Sequence, residues 1–251
     1  MALALLHSLE KISGNNITVM AENIGEPRFV SVKHIVLKVE YDGTGYVGFQ
    51  LQKNGATIQG ELEKALEKLT GEFSRVYGSS RTDSGVHAFE QVVLFKTKSG
   101  IKTSGFIGGL NYYLPEDISV TEAVNVQREF DVRRMALSRE YSYYILNRDT
   151  RSPVRKGLYL QVKGELDLAA MNSACSLLLG KQDFASFASL TEPLGSTIRS
   201  IKKAEFIRKG DIIVFNIEAN AFLPHQIRNI VGVMIRIGKG RMTLEEFKGI
   251  I

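Results

Sequence analysis

The order in which strand-like and helix-like patterns follow one another is repeated along this chain, and the repeat limits the possible folds more than any other feature. Over 34–40, Ile35, Leu37 and Val39 alternate with charged or small neighbours, the period of a half-buried strand. A long polar loop leads to Thr57, which opens a helix carrying Ile58, Leu62, Ala65, Leu66 and Leu69 on one face and ending at Gly71. Strands over 75–79 and 91–96, a short helix over 104–112 and a strand over 118–123 complete a βαββαβ series. The second half starts the same series again. It has a strand over 141–146, a helix capped by Asp167 and closed by Gly180, and a hairpin of 200–207 with 212–219 turning through Arg208-Lys209-Gly210-Asp211. A helix beginning near Leu223, with Pro224 in its first turn, then runs to Gly238. The expected fold class is α+β, with two ferredoxin-like halves, a joined and mainly antiparallel sheet, and helices on one side.

The second series is expected to lack its closing strand, since the helix-like run 243–248 is followed only by residues 249–251. Residues 1–28 read as a polar, weakly patterned, flexible leader. The expected division is therefore the leader 1–28, an N-terminal half over 29–130 and a C-terminal half over 131–251. With 251 residues and 44% hydrophobic composition the chain can bury a substantial core. No run approaches the roughly 18 apolar residues of a membrane span, and the expected compartment is the cytoplasm. The single cysteine, Cys175, leaves no internal disulfide framework and reads as a core residue on an apolar helix face.

Between two expected strands lies Gly78-Ser79-Ser80-Arg81-Thr82-Asp83-Ser84-Gly85-Val86-His87-Ala88, a polar segment that brings an arginine, a carboxylate and a histidine together. Thr-Asp-Ser-Gly is also what an ordinary turn looks like, so composition alone does not assign it chemistry. The segment Gly43-Thr44-Gly45-Tyr46-Val47-Gly48 matches a dinucleotide fingerprint, but its glycines do not open a helix, which begins only at Thr57. His7, His34, His87 and His225 show no metal-ligand spacing, so no metal is expected. A carboxylate nucleophile is the simplest chemistry left, and it needs no cofactor.

The block from Gly78 to Ala88 resembles the signature of the TruA-type tRNA pseudouridine synthases, with Ser80 where that family usually has a second glycine. Three further stretches agree with the family pattern in the same order. These are Tyr41-Asp42-Gly43-Thr44 through Gly48-Phe49-Gln50-Leu51-Gln52, then Arg139-Glu140-Tyr141-Ser142-Tyr143, and Phe222-Leu223 through His225 to Arg228-Asn229-Ile230-Val231-Gly232. The resemblance implies the pseudouridine synthase fold and the isomerisation of uridine to pseudouridine at positions 38–40 of the tRNA anticodon stem-loop. It implies Asp83 as nucleophile, Arg228 as its ionic partner and Tyr141 as the aromatic that stacks on the base. It also implies that Arg81 fills the gap left by an extruded base, with Thr82, His87, Arg139 and Leu223 among the substrate-binding residues. The implied partners are tRNA and a second copy of the chain in a homodimer, with no membrane. A non-catalytic RNA-binding module of ferredoxin-like halves is the alternative, weakened by the absence of RNP-type aromatic runs.

Charge is distributed in keeping with a polyanionic partner. Residues 1–125 carry 12 Lys and Arg against 14 Asp and Glu, whereas residues 126–251 carry 20 against 13. Eight of those cations, from Arg128 to Lys156, fall within one stretch with four acids, and the arginine fork suits phosphate.

Overall fold

The computed structural model describes residues 31–189 and 195–251, together with the backbone course of residues 4–7. In chain order the elements of the first half are β1 (Ala4–His7), β2 (Lys33–Tyr41), α1 (Ile58–Thr70), β3 (Tyr77–Gly78), β4 (His87–Thr97), α2 (Gly105–Tyr113) and β5 (Ile118–Val126). The second half comprises β6 (Arg139–Asn147), β7 (Leu160–Val162), α3 (Leu168–Leu177), β8 (Gly180–Asp183), β9 (Ile198–Lys209), β10 (Ile212–Ala219), α4 (Gln226–Gly238) and α5 (Leu244–Lys248).

Local chemistry sets the helix ends. Thr57 takes an extended backbone and its hydroxyl accepts from the Gly60 N–H, while Gly71 closes α1 in the left-handed conformation and donates to the Glu67 carbonyl. Asp167 caps α3 by accepting from the Ala170 N–H. Thr243 and Glu246 form a reciprocal capping box on α5.

Among the described residues the strands form one sheet in the order β5-β2-β4-β1-β6-β10-β9-β8, with β3 on β4 and β7 on β6. The pairings are antiparallel except for β1 with β4 and β6 with β7. The first half thus has the ferredoxin-like order β5-β2-β4-β3, and β6-β10-β9 repeats the places of β2-β4-β3. Residues from all five helices, including Leu62, Phe106, Met171, Ile230 and Phe247, share a single core with inward residues such as Ile35, Phe95, Ile145 and Phe215. Each large side chain buried there contributes roughly 1.5–3 kcal/mol. On the other face Val36, Val92 and Leu94 pack beneath Val132 from the segment joining the halves.

Three expectations are corrected. The place beside β6 that the repeat assigns to a fourth strand is paired by β1, whose Ala4 to His7 lie opposite Tyr143 to Glu140. Part of the expected flexible leader is therefore a strand between the two halves, because the facing edges of β4 and β6 both offer it backbone partners. The remainder of the leader up to residue 28 lies outside the described residues. Second, β4 begins at His87 rather than near residue 91, since His87 and Ala88 pair with Leu5 and Leu6 and Ala88 also pairs with Tyr41. Third, α4 begins at Gln226 and not near Leu223. His225 has φ +59, which cannot continue a right-handed helix, so Pro224 belongs to the preceding turn. Among the described residues no helix is long and apolar enough to cross a membrane.

Candidate active site

The loop of residues 79–86, between β3 and β4, is held by the polar loop that follows β2. Gly48 forms an isolated antiparallel bridge with Asp83, and the Phe49 N–H donates to the Thr82 carbonyl at 3.0 Å. The Ser84 hydroxyl and the Gly85 N–H both donate to the Tyr46 carbonyl, at 3.1 and 3.3 Å. This approach explains the glycines that mimic a nucleotide fingerprint. A Cβ at Gly43 would stand 2.0 Å from the Val86 carbonyl oxygen, and one at Gly48, where φ is +124, would stand 2.8 Å from that of Thr82. Gly43 and Gly48 serve backbone against backbone, not phosphate. Beneath the loop the buried hydroxyls of Tyr41 and Thr82 share a hydrogen bond of 2.8 Å. Thr82 lines the cleft, but its hydroxyl is directed to Tyr41 and fixes the residue next to Asp83.

Asp83 itself opens into a cleft of about 460 Å³ whose other wall comes from the second half. Its side chain is 35% exposed, and a guanidinium and an imidazole from the start of α4 face the same oxygen. Arg228 Nε and His225 Nε2 each stand 3.7 Å from Asp83 Oδ2, while Arg228 Nη2 donates to the Ser84 carbonyl at 3.1 Å. The imidazole counts as a cation only when protonated. A left-handed histidine is an uncommon backbone state, and here it delivers that imidazole to the carboxylate. Leu223 is tied into the same turn, its N–H donating to the side-chain oxygen of the fully buried Gln226 at 2.7 Å.

Tyr141, on β6, forms the aromatic wall. Its ring is buried and meets Phe222 edge to face with centroids 5.3 Å apart. Burial pushes its phenol up to about 12, with the Asp83 charge acting in the same direction against a hydrogen bond from Ser80. The hydroxyl therefore stays protonated at neutral pH. Tyr143, read as core from its strand position, is buried in the main core.

Arg139 has a different use from the one expected. Its buried guanidinium donates to the carbonyls of Asn220 at 2.7 Å, Ser79 at 2.8 Å and Arg133 at 3.1 Å. It lines the cleft while fastening the stem of the Asp83 loop to the second half, so we describe it as a positioning residue. Arg81 is exposed and lines the cleft. His87 departs furthest from expectation. It is buried with Nδ1 3.2 Å from Asp42 Oδ1, and burial lowers its pKa. It lines a separate recess of about 530 Å³ that shares no lining residue with the cleft. Pairing of His87 in β4 turns its side chain into that recess, whose wall includes Glu40, Asp42, Glu116 and Asp117 and repels a polyanion. Part of the basic stretch is likewise committed elsewhere, because Arg148 and Arg155 both pair with Asp211, at 2.9 and 3.0 Å.

A family profile described as tRNA pseudouridine synthase matches residues 38–133 and 174–251, the two segments that carry Asp83 and Arg228. This chain belongs to that family. It is an isomerase of uridine in tRNA. Among its relatives, the tRNA pseudouridine synthase A of Geobacter sp. (strain M21) is 39% identical over 215 residues, covering 86% of this chain and 87% of the relative. The protein of the same name from Francisella tularensis subsp. mediasiatica (strain FSC147) is 40% identical over 220 residues, covering 88% and 85%. The family motifs point to Asp83, Tyr141 and Arg228, whereas His225 and Phe222 join the site only in the folded structure. The available signal was their place in the Phe222–Gly232 stretch, where a histidine directly after a proline can adopt a left-handed turn.

Proposed function

We propose that Asp83 is the nucleophile that converts uridine to pseudouridine, acting at positions 38–40 of the tRNA anticodon stem-loop. The isomerisation breaks the N1–C1′ bond and joins C5 to C1′; a proton leaves C5 and one arrives at N1, so nothing is gained or lost. The carboxylate supplies an electron pair to an electrophilic carbon of the nucleoside, C1′ of the ribose or C6 of the base. Arg228 and His225 flank it at 3.7 Å, beyond hydrogen-bond length, so its lone pairs are not consumed by a short bond. Tyr141 gives the detached uracil a flat apolar surface while it turns, and its protonated phenol can donate a hydrogen bond to a base carbonyl. Arg81 takes the space of the extruded base, an extrusion that costs a few kcal/mol.

The observation that carries this reading is the convergence of Asp83, Arg228 and Tyr141, from three separate segments, on one cleft. Asp83→Asn keeps shape and loses nucleophilicity, so it should bind tRNA within about threefold of wild type and form pseudouridine at least about a thousandfold more slowly. Isomerisation by that variant within a few-fold of wild type sinks the assignment. Mapping of modified positions in a tRNA with uridines at 38, 39 and 40, and in one without them, tests the site. A cytoplasmic homodimer is proposed from the family resemblance, with sedimentation equilibrium as its test.

A further inference from the structure

A second recess of about 280 Å³ adjoins the catalytic cleft and shares Arg81 and Arg133 with it. We propose that this recess is a nucleotide subsite that receives the residue adjoining the target uridine on the RNA strand, its phosphate against Arg81 and Arg133 and its base against Tyr77. The inference rests on the reading that the Asp83 cleft receives the target.

The recess owes its shape to a short edge strand. β3 pairs only with β4 among the described residues, so its outer side is left open. Tyr77, on that strand, is 46% exposed, and Leu51 opposite, in the loop before α1, is 48% exposed. Phe49 is buried behind them and packs so closely on Gly78 that a Cβ there would lie 2.6 Å from its ring. In front of this packed floor an aromatic ring and an apolar side chain face solvent.

The charges around the recess are unequal. Arg75 is answered by Glu63 at 3.4 Å, and that carboxylate also accepts from the Val76 N–H and the Gln59 amide. The guanidiniums of Arg81 and Arg133, in contrast, form no ion pair among the described residues: Asp131 accepts from the Arg133 backbone N–H at 2.9 Å and pairs through its side chain with Arg134, while Arg133 Nε is steadied by the Gly78 carbonyl at 3.3 Å. Two unanswered guanidiniums beside an exposed aromatic and an aliphatic wall match the two faces of a nucleotide, an anionic phosphate and a stacking base. Sharing both arginines with the cleft places the two nucleotides on one continuous strand. The other large recess, with its four carboxylates, lacks this chemistry.

Tyr77→Ala tests the subsite, because the ring is exposed and has no part in the catalytic cleft; the melting temperature checks that the fold is kept. Full-length tRNA assembled from synthetic halves, with the modified uridine already mapped, is prepared intact or lacking the base on its 5′ or 3′ side. Wild type should bind one abasic tRNA about tenfold more weakly than the intact one, and the other no differently. Tyr77→Ala should bind intact tRNA about tenfold more weakly and suffer no further loss with the sensitive abasic tRNA. Its single-turnover rate at saturating tRNA should stay within twofold of wild type. Unchanged affinity of Tyr77→Ala, penalties that multiply to about a hundredfold, or indifference of wild type to both abasic tRNAs overturns the proposal. Failure of the Asp83 assignment would appear separately, as isomerisation by Asp83→Asn with the binding pattern intact.

Discussion

Asp83 and Asp211 stand at matching places in the two halves, each in the connection between the second and third strands of its βαββαβ series. In the second half that connection is a tight turn of Gly210 and Asp211, and the Asp211 carboxylate is taken by Arg148 and Arg155 at 2.9 and 3.0 Å. Those bonds lower its pKa, the Arg155 hydrogen bond most. In the first half the connection lengthens to residues 79–86, and Asp83 faces its two basic neighbours at 3.7 Å across an open cleft. One unit therefore holds a carboxylate in two ways. Short direct bonds make Asp211 part of the scaffold, whereas basic groups at a distance leave the Asp83 carboxylate without a short bond, as the proposed nucleophile requires. The difference lies in the loop and in what reaches it from the opposite half.

Four changes break or sharpen that contrast. The largest effect is expected from Gly48→Ala, which places a methyl group 2.8 Å from the Thr82 carbonyl at a backbone angle that alanine avoids. Displacing the Asp83 loop by about 1 Å should lower single-turnover isomerisation about a hundredfold. A rate within threefold of wild type would show that the loop is not held from this side.

Arg139→Lys tests whether the long loop needs its fastening to the second half. A single ammonium cannot follow the guanidinium fork to the Asn220, Ser79 and Arg133 carbonyls, so stability should fall by about 2 kcal/mol through carbonyls left unpaired. Urea denaturation with an unchanged midpoint would remove Arg139 from the scaffold.

The tyrosine beneath the Asp83 loop and the one on the wall of its cleft give the contrast a pH signature. Burial raises the pKa of Tyr41 from the first half and that of Tyr141 from the second, the latter to about 12. Such a group keeps its proton in the folded state while the unfolded chain releases it near pH 10, so stability is intact below about pH 10 and falls as pH rises towards the folded value. Each group adds a slope of about 1.4 kcal/mol per pH unit. In Tyr141→Phe the decline between pH 10 and 11.5 should be shallower by that amount, as read from denaturation midpoints; equal slopes would place the Tyr141 phenol in contact with water.

The smallest effect belongs to the turn that corresponds to the catalytic loop. Gly210 has φ +64 with open space around its Cα, so Gly210→Ala should cost about 1 kcal/mol of stability and leave isomerisation unchanged. A loss of activity there would mean that the second turn is not confined to the scaffold.

Much of this architecture is written locally. The alternation of Ile35, Leu37 and Val39, the caps at Thr57 and Asp167, and the glycine at Gly71 all appear where periodicity and capping chemistry place them, because each depends on neighbours within one or two turns. The Asp83 motif was equally legible as a motif. What it touches was not. Arg228 lies 145 positions from Asp83 in sequence, and its approach depends on a left-handed His225 that no helical period announces. The side to which His87 points followed from strand pairing with β1, which turned it from the expected substrate contact to a buried partner of Asp42. The edge of β6 offers the same lesson, since a segment with little strand pattern became its partner through backbone hydrogen bonds that any residue can make. Sequence by itself determined the helices, the long strands and the family, since period, caps and motifs are local properties of the chain. Tertiary structure alone decided which side chains meet in the cleft, because those meetings rest on long-range pairing and packing between the two halves.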